Sequence, residues 1–257
     1  MGNTLFTVAD KTALVTGGSR GIGMMIARAY VEAGMKVYIS SRKADVCAEA
    51  EASLSKFGTC IALPADLSQL DEVDRLANEL KTREPTLHVL VNNAGATWGA
   101  MVDEFPEKGW DKVMDVNVKA PFFLTQKLLP LLEAAATAGD PARVINIGSI
   151  DGLHTSPFEN FSYGPSKAAL HHLTRNLAKH LAPRNITVNA VAPGPFATDM
   201  MKPMMEKMGD AILARVPLNR MGGQDDAAGM AVFLASPASA YVTGAVIPLD
   251  GGVFAAS

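Results

Sequence analysis

The stretch "KTALVTGGSRGIG", Lys11–Gly23, decides the fold because it joins a short apolar run to a glycine-rich turn and then to a helical segment. The apolar run predicts a buried strand, and residues 21–33 predict a helix. Glycine lets the backbone turn tightly and approach a phosphate, and the free N–H groups at a helix start attract anions. The stretch therefore predicts a strand, a phosphate-binding turn and a helix, in that order.

The spacing of the glycines differs from the usual pattern of a dinucleotide-binding turn. Gly17, Gly21 and Gly23 follow the pattern G-x-x-x-G-x-G, which differs from the G-x-G-x-x-G of many dinucleotide sites. A plain strand-to-helix turn is the alternative interpretation. The position of the turn, directly after the first strand, favours a nucleotide site.

The rest of the chain continues the same alternation of apolar runs and helical segments. Six further strands are predicted, at 36–40, 60–66, 87–95, 142–149, 186–194 and 245–252, with helices at 43–58, 70–83, 106–113, 118–135 and 163–181. Continuous apolar strands are typical of a parallel sheet covered on both faces. We expect an α/β fold with one domain over residues 1–257. Its core would be a Rossmann-type doubly wound parallel sheet of about seven strands, with ligands at the carboxyl ends of the strands.

Composition narrows the class of protein. The chain has 257 residues, of which 48% are apolar, and a formal net charge of −3, so no basic surface for nucleic acid is expected. No apolar run approaches the ~20 residues that span a bilayer, and the start lacks the pattern of a secretion signal. Two cysteines, Cys47 and Cys60, make no disulfide framework. These features predict a cytoplasmic protein that binds neither membrane nor nucleic acid.

A second stretch, "YGPSK", places a phenol at Tyr163 and an ammonium at Lys167, one helical turn apart. Proline is tolerated near a helix start, so Pro165 puts the pair in a first turn. A nearby ammonium favours phenolate and lowers the pKa of a tyrosine from its usual value of about 10. The pair predicts a tyrosine that works as an acid or base near neutral pH, and a surface pair without chemistry is the alternative.

Taken together and in this order, the motifs resemble the short-chain dehydrogenase/reductase family. The resemblance runs from about Thr7 to Gly252 and rests on "TGGSRGIG", "NNAG" (92–95), "GS" (148–149), "YGPSK", "APGPFAT" (192–198) and the closing "YVTGAVIPLDGG". Within the family the chain looks most like bacterial 3-oxoacyl-(acyl-carrier-protein) reductases, and "NNAGATWGA" and "GDPARVINIGS" look closest to the relative associated with rhamnolipid synthesis.

The resemblance implies an enzyme that uses NADPH to reduce a 3-oxoacyl thioester, carried on acyl carrier protein or on CoA, to the 3-hydroxyacyl product. Reduction or oxidation of another ketone, a sugar or a polyol is an alternative within the same chemistry. An NADP sensor without enzymatic activity is an alternative from a different class, although such relatives tend to lose the tyrosine or the lysine.

The resemblance also implies a catalytic tetrad without a metal ion. Tyr163 would donate a proton to the carbonyl oxygen, and Lys167 would bind the nicotinamide ribose and favour tyrosinate. Ser149 would hold the substrate oxygen. Asn117 would bind a water through the helix backbone and extend a proton path toward Lys167. The segment between Ser149 and Tyr163 is one residue longer than is common in the family, so the extra residue lies in the pocket wall at 150–161.

The end of the second predicted strand indicates which cofactor is used. It reads "SSRK", with Ser41 where NAD-preferring relatives carry an acidic residue, and Arg42 next. Arg42 and Arg20 would clamp a 2′-phosphate, which favours NADPH. Asp66 would meet the adenine edge, and Thr198 would face the nicotinamide amide. The other implied cofactor contacts are Gly17, Ser19, Gly21, Ile22, Gly23, Leu67, Asn93, Ala94, Gly95, Pro193 and Gly194, together with Tyr163 and Lys167.

The substrate side is less well defined. Five methionines lie in the thirteen residues 198–210 and would form either a lid over an acyl chain or a helix packed on the core: Met200, Met201, Met204, Met205 and Met208. Trp98 would form a pocket wall or belong to the ordinary core, and the wall is favoured. Asp151 and His154 are polar groups near the pocket.

Partner contacts follow from the resemblance as well. Arg184 matches a position that carrier-protein reductases use for docking, but Asp140 stands where a second base is expected, with Arg143 just beyond it. This departure leaves carrier-protein delivery open. The family commonly forms tetramers, so we expect a homotetramer, with His171 and His172 at a subunit contact.

Overall fold

The sheet is built from seven parallel strands in the order β3-β2-β1-β4-β5-β6-β7. The computed structural model describes residues 4–156, 158–198 and 201–256, without the side chains of 202–204. The strands are β1 (Thr12–Thr16), β2 (Lys36–Ser40), β3 (Cys60–Ala62), β4 (Val89–Asn92), β5 (Ala142–Ile147), β6 (Ile186–Pro193) and β7 (Val246–Leu249). The predicted Rossmann-type α/β fold is confirmed.

Helices cover both faces of this sheet. They are α1 (Gly21–Glu32), α2 (Ala44–Leu54), α3 (Leu70–Arg83), α4 (Glu107–Met114), α5 (Ala120–Ala135), α6 (Tyr163–Leu181), α7 (Lys202–Leu213) and α8 (Gln224–Ala235). One hydrophobic core lies between the sheet and α1, α2 and α8, and a second lies between the sheet and α3, α5 and α6.

The strands supply alternate side chains to these two cores. In β1, Ala13 and Val15 belong to the first core, whereas Leu14 belongs to the second. In β4, Val91 and Leu90 divide in the same way. Because successive side chains of a strand point to opposite faces, a strand buried on both faces must be apolar throughout. This explains the continuous apolar runs in the sequence.

The order of the strands places the candidate site. The chain adds β2 and β3 on one side of β1 and then crosses to add β4 to β7 on the other side. The change of direction opens a crevice at the carboxyl ends of β1 and β4. The glycine-rich turn follows β1, and "NNAG" follows β4, so both motifs lie at this crevice.

The structure contains elements beyond those predicted with bounds, and the first of them, α7, covers most of the methionine-rich segment. Helices α7 and α8 follow β6, and a π-helical turn, Asp115–Lys119, separates α4 from α5. Helix α8 has apolar residues around its whole circumference, so it shows no amphipathic period that would predict it.

Two absences hold for the residues that the structure describes. No helix there is long and apolar enough to cross a bilayer. The same residues contain no cluster of three or more His, Cys, Asp or Glu side chains arranged to bind a metal ion.

Candidate active site

The glycine-rich turn between β1 and α1 requires its glycines for two reasons. Gly17 and Gly21 have φ angles of +65° and +55°, which side chains rarely adopt. At Gly23, an added Cβ would overlap the carbonyl oxygen of Gly17. The turn therefore closes on itself and leaves the N-terminus of α1 facing the crevice, where its free N–H groups can bind a phosphate.

Hydrogen bonds with the "NNAG" motif after β4 hold this turn in place. The Asn93 amide nitrogen donates to the carbonyl oxygens of Thr16, at 2.9 Å, and Gly17, at 3.2 Å. The Thr16 hydroxyl in turn accepts from the backbone N–H groups of Asn93 and Ala94, both at 3.0 Å. The Asn93 side chain is thus used within the protein, and only the backbone of this segment remains to line a ribose. Sequence reasoning did not find this bracing role.

The end of β2 carries two serine hydroxyls, with an arginine beside them. The hydroxyls of Ser40 and Ser41 are buried and have no hydrogen-bond partner within the described residues. Arg20 and Arg42 are exposed, and neither side chain forms an ion pair with any residue that the structure describes. Buried polar groups in native proteins are nearly always hydrogen-bonded. The two hydroxyls and two guanidinium groups fit a phosphorylated ribose.

The other predicted cofactor contacts lie around the same crevice. Asp66 accepts hydrogen bonds from the N–H and hydroxyl of Ser68 through one carboxylate oxygen. Leu67 is buried, and Ser19 lies within the glycine-rich turn. Ile22 packs against the core beneath that turn. These positions are compatible with a dinucleotide lying across the crevice, and the contacts themselves stay a prediction.

The end of β6 closes the crevice on the far side from β2. Gly194 donates its N–H to the carbonyl oxygen of Leu249 at 3.0 Å, and a Cβ added at Gly194 would lie 2.7 Å from that of Asp250. The side chain of Thr198 lies 3.5 Å from where a Cβ of Gly21 would stand. The predicted nicotinamide-side segment thus meets the glycine-rich turn, as a clamp around one ligand requires.

Helix α6 begins at Tyr163, so the tyrosine and Lys167 occupy its first turn as predicted. The Lys167 ammonium is 4% exposed. It donates to the carbonyl oxygen of Ile147 at 2.8 Å and lies 5.6 Å from the centre of the Tyr163 ring. The carboxyl end of β5 therefore fixes the lysine beside the phenol.

The pKa values of this pair differ from the expectation that the lysine lowers the pKa of the tyrosine. Burial raises the pKa of Tyr163 to about 12, while a hydrogen bond from Ser149 opposes the rise and the charge of Asp151 adds to it. Burial also lowers the pKa of Lys167 to about 8. Removal of each group from water is the largest influence on its pKa. Tyr163 is accordingly a protonated acid at neutral pH.

Ser149 lies where the sequence places it, directly after β5. Its hydroxyl accepts the backbone N–H of Asp151 at 3.1 Å and so caps a 3₁₀ turn, Ile150–Gly152. The same hydroxyl interacts with the phenol of Tyr163. The turn thus brings the serine and the tyrosine together around one point, where a substrate oxygen could bind.

Asn117 is fully buried in the π-helical turn between α4 and α5. Its amide oxygen accepts the N–H of Ala96 at 2.8 Å, and its amide nitrogen donates to the oxygens of Ala96 and Ser166, both at 2.9 Å. The side chain therefore ties the segment after β4 to α6. Any contact with a water must use the backbone, which a π-turn leaves locally irregular.

Loops after β4 and before α6 supply the candidate walls of a substrate pocket. Trp98 is half-buried and packs against Gly109 of α4, so it supports the loop after β4. Its assignment as a pocket wall stays a prediction. Phe105 and Phe161 meet edge to face at 6.0 Å and line an open cavity of about 370 Å³ together with Val102, Glu107 and Trp110.

The methionine-rich segment is only partly described. Met200 and the side chain of Met204 lie outside the described residues. Met201 and Met205 are half-buried, and Met208 is 50% exposed at a break in α7, where its φ is −142°. The choice between a lid and a core helix stays open.

Two arginines considered for carrier-protein docking are engaged within the chain. Arg184 forms an ion pair with Glu133. Arg143 is buried, pairs with Asp140 and donates to the carbonyl oxygen of Ser236 at 2.9 Å. Arg143 therefore cannot bind a partner's surface.

His171 also differs from its assignment to a subunit contact. It is buried within its own chain, whereas His172 beside it is exposed. The sequence around His171 does not indicate that its ring contacts Gly148 and Gly152, which are distant along the chain.

Comparison with known proteins extends these observations to the whole chain. A family profile described as "Enoyl-(Acyl carrier protein) reductase" matches residues 17–254. The "Rhamnolipids biosynthesis 3-oxoacyl-[acyl-carrier-protein] reductase" of Pseudomonas aeruginosa is 48% identical over 249 residues, which cover 96% of this chain and 97% of the relative. The 3-oxoacyl-[acyl-carrier-protein] reductase FabG of Staphylococcus epidermidis is 36% identical over 247 residues, with 95% and 99% covered.

Among solved structures, the "Pseudomonas aeruginosa RhlG/NADP active-site complex" superposes with a TM-score of 0.95. Its sequence identity is 47%, and the match covers 98% of this chain and 99% of that one. The likeness therefore includes the loops at the carboxyl edge of the sheet as well as its core.

Proposed function

The chain belongs to the short-chain dehydrogenase/reductase family, and on that premise we propose that it uses NADPH to reduce the 3-keto group of a 3-oxoacyl thioester to the 3-hydroxyacyl product. The observation that carries the proposal is the buried cluster of Tyr163, Lys167 and Ser149 beside a phosphate-binding turn. The named activities of the relatives support the choice of a 3-oxoacyl substrate.

Each residue of the cluster has one task in this reaction. The cofactor supplies a hydride when bound. Ser149 hydrogen-bonds the ketone oxygen and holds it near Tyr163, and Tyr163 donates the proton that completes the alcohol. Because burial raises the pKa of Tyr163 to about 12, the phenol carries this proton at neutral pH. Lys167 keeps its charge beside the phenol and so stabilises the tyrosinate that remains.

NADPH rather than NADH fits the corner at the end of β2. Ser41 offers a buried hydroxyl, and Arg20 and Arg42 offer two cations without a carboxylate partner within the described residues. A carboxylate at this corner would repel a 2′-phosphate, and guanidinium groups bind one. The NADP named with the Pseudomonas structure agrees with this assignment.

A ketone in a more polar molecule, such as a sugar or polyol, is the second candidate. It is favoured by the half-buried Asp151 and His154, whose carboxylate oxygen and Nε2 atom lie 3.9 Å apart in the pocket wall. Acyl chains are favoured by the apolar cavity at Phe105 and Phe161. A sensor without activity is disfavoured because Tyr163 and Lys167 are both held in reactive positions.

Delivery of the substrate by a carrier protein is not part of the proposal. An acidic carrier needs exposed basic residues at the pocket rim. The charge of Arg184 is balanced by Glu133, and Arg143 is buried, so we propose that a CoA thioester is reduced as readily as one on a carrier.

We also propose that residues 1–257 form one domain, that four copies assemble, and that the enzyme works in the cytoplasm. The single sheet supports the first point. For the last, Cys47 and Cys60 are buried free thiols, as is usual for a reducing compartment.

The decisive experiment follows the loss of NADPH absorbance with acetoacetyl-CoA and with a longer 3-oxoacyl-CoA. We expect turnover by the native chain and a loss of about 10²–10⁴-fold in Tyr163→Phe, because the proton donor is gone. Tyr241→Phe, at a fully exposed tyrosine, is the matched control and should change nothing. NADPH binding without turnover of either thioester would contradict the proposal and favour the polar ketone.

A further inference from the structure

His171 is a buried ionisable residue that the proposed reaction does not use. It lies one helical turn after Lys167 on α6 and is 2% exposed. Within the described part of the chain, neither of its ring nitrogens forms a hydrogen bond of ordinary length and angle, although the backbone of Gly152 lies close enough to favour the protonated ring. A buried polar group without partners costs stability, so its presence calls for a physical explanation.

The contacts of the ring supply that explanation. The imidazole packs against Gly148 and Gly152, which flank Ser149 and its 3₁₀ turn. A Cβ added at Gly148 would overlap the Nε2 atom of His171, and one at Gly152 would lie 2.8 Å from its Cε1 atom. The Cβ at Gly152 would also lie 2.7 Å from the backbone of Lys167 and Ala168, so this end of the turn rests directly on α6. At Gly148 all three nearest atoms belong to the His171 ring, so there the ring alone separates the turn from the helix.

We propose that His171 is a positioning residue that, at the Gly148 end of the Ser149 turn, sets the distance between this turn and the face of α6 that carries Tyr163 and Lys167. The helix fixes the tyrosine and lysine, the turn fixes the serine, and the ring of His171 is wedged between them. The inference rests on the proposed function, because only in a reaction at Tyr163 does this spacing matter for turnover.

The turn has hydrogen bonds of its own, which explains why a wedge can set its position. Gly148 donates its N–H to the carbonyl oxygen of Val191 at 2.7 Å, and Gly152 donates to that of Ser149 at 3.0 Å. The turn is thus rigid in itself and anchored at one end to β6. A change in thickness at the ring would tilt it as a unit, and the Ser149 hydroxyl would move relative to the phenol.

The wedge is neutral at physiological pH. Burial lowers the pKa of His171 to about 4, and the positive charges of Lys167 and Arg175 on the same helix act in the same direction. The backbone of Gly152 acts in the opposite direction and is second to burial in its influence on the pKa. Asp151 is the ionisable group on the facing turn, and burial raises the pKa of its own carboxyl group. The ring therefore places no second charge beside Lys167.

The first test measures the contact without relying on activity. Unfolding in urea is compared for Gly148→Ala, His171→Ala and the double variant, with His172→Ala as the exposed control on the same helix. Removing the ring should make room for the new methyl group, so the double variant should be at least about tenfold more stable, in its unfolding equilibrium constant, than the sum of the single effects predicts. Additive effects would overturn the proposed contact. If Gly148→Ala does not fold, folding of the double variant supports the contact and failure of both overturns it.

The second test separates positioning from general stability. In His171→Ala we expect kcat for the 3-oxoacyl-CoA to fall about tenfold or more, with NADPH affinity by fluorescence within about twofold of the native value. The control His172→Ala should keep both. An unchanged kcat, or an equal loss of kcat and NADPH affinity, would overturn the role. If the native chain reduces no thioester, the proposed function fails, while the urea experiment still decides whether His171 and Gly148 are coupled.

Discussion

At the scale of single residues, Tyr163 and Lys167 show what the sequence can and cannot predict. Their spacing and Pro165 were sufficient to place both in the first turn of a helix. The direction of the tyrosine's pKa shift was wrong, because it depends on how far both groups are removed from water, and burial is not a property of spacing. The same limit applies to His171, whose contact with two glycines joins segments that are distant in sequence.

The pKa of Lys167 leads to a prediction for the pH dependence of reduction. Burial lowers this pKa to about 8, so the ammonium loses its proton as the pH rises through 8 and no longer stabilises tyrosinate. We expect kcat to fall above this pH in a profile taken from about pH 6 to about pH 10. In Lys167→Arg, whose charge does not titrate in this range, the alkaline fall should disappear even if the rate is low. A native rate that is constant to the end of the range would contradict the assignment.

The lowered pKa of Lys167 also makes the free energy of unfolding depend on pH. Between the folded pKa of about 8 and the ordinary value of 10.5, the unfolded chain binds a proton at Lys167 that the folded chain does not. The contribution of this residue to the free energy of unfolding therefore rises with pH across that interval and is least favourable below pH 8.

Arg42 should determine the preference for NADPH over NADH. Arg42→Asp should lower the preference for NADPH over NADH by about tenfold or more, measured as the ratio of kcat/KM values, since a carboxylate repels the 2′-phosphate. Lys43→Asp makes a similar change of charge one residue further along an exposed stretch and should alter the ratio far less. Equal effects of the two variants would mean that general charge, rather than a contact with Arg42, sets the preference.

At the scale of elements, the glycine-rich turn was predictable as a turn but not as a braced unit. Its position after β1 is visible in the sequence, as is the helix that follows. The contact between Gly17 and Gly23 and the hydrogen bonds from Asn93 depend on the arrival of β4 beside β1, which only the folded sheet provides. Helix α8 was missed for a related reason, because a helix that is apolar all round has no period to detect.

Gly23→Ala tests whether this packed turn is needed for the cofactor. The new methyl group would overlap the Gly17 carbonyl and the Asn93 amide, so the turn must open and the phosphate site must widen. We expect NADPH affinity, measured by fluorescence titration, to fall about tenfold or more. Gly139→Ala, at a loop glycine with open space around it, is the matched control and should bind normally. Normal binding by both variants would show that the close approach is dispensable.

At the scale of the whole molecule, the sheet could be predicted from the pattern of strands and helices, whereas the expected tetramer rests on the family resemblance. Alternating strands and helices imply a doubly wound sheet, because parallel neighbours need a crossover. Subunit contacts produce no comparable pattern in the sequence. In the structure, Met230, Val232 and Phe233 of α8 and Ile247 and Leu249 of β7 are only half-buried, which leaves an apolar face at the edge of the sheet.

This face leads to a prediction about assembly. Sedimentation at micromolar concentration should give a tetramer for the native chain. Gly229 is an exposed residue of α8 with open space around it, so Gly229→Arg should be harmless within one chain but should block a partner that packs on α8. We expect Gly229→Arg to sediment as monomers or dimers. Each separated chain should keep the melting temperature of a native chain measured at a dilution where it is also dissociated. A monomeric native protein, or a tetramer that the arginine does not disturb, would contradict an interface at α8.

The loops that form the pocket walls have a consequence for how such enzymes diversify. The hydride chemistry depends on the ends of β1, β5 and β6 and on the first turn of α6, all of which are fixed by the buried sheet. The candidate walls at 97–105, 150–161 and 201–213 lie outside the sheet. Among their described residues, few belong to either core. A lineage can therefore exchange its walls and inherit its reaction unchanged. A laboratory that wished to redirect this chain to a new ketone would graft these three segments and leave the rest of the gene alone.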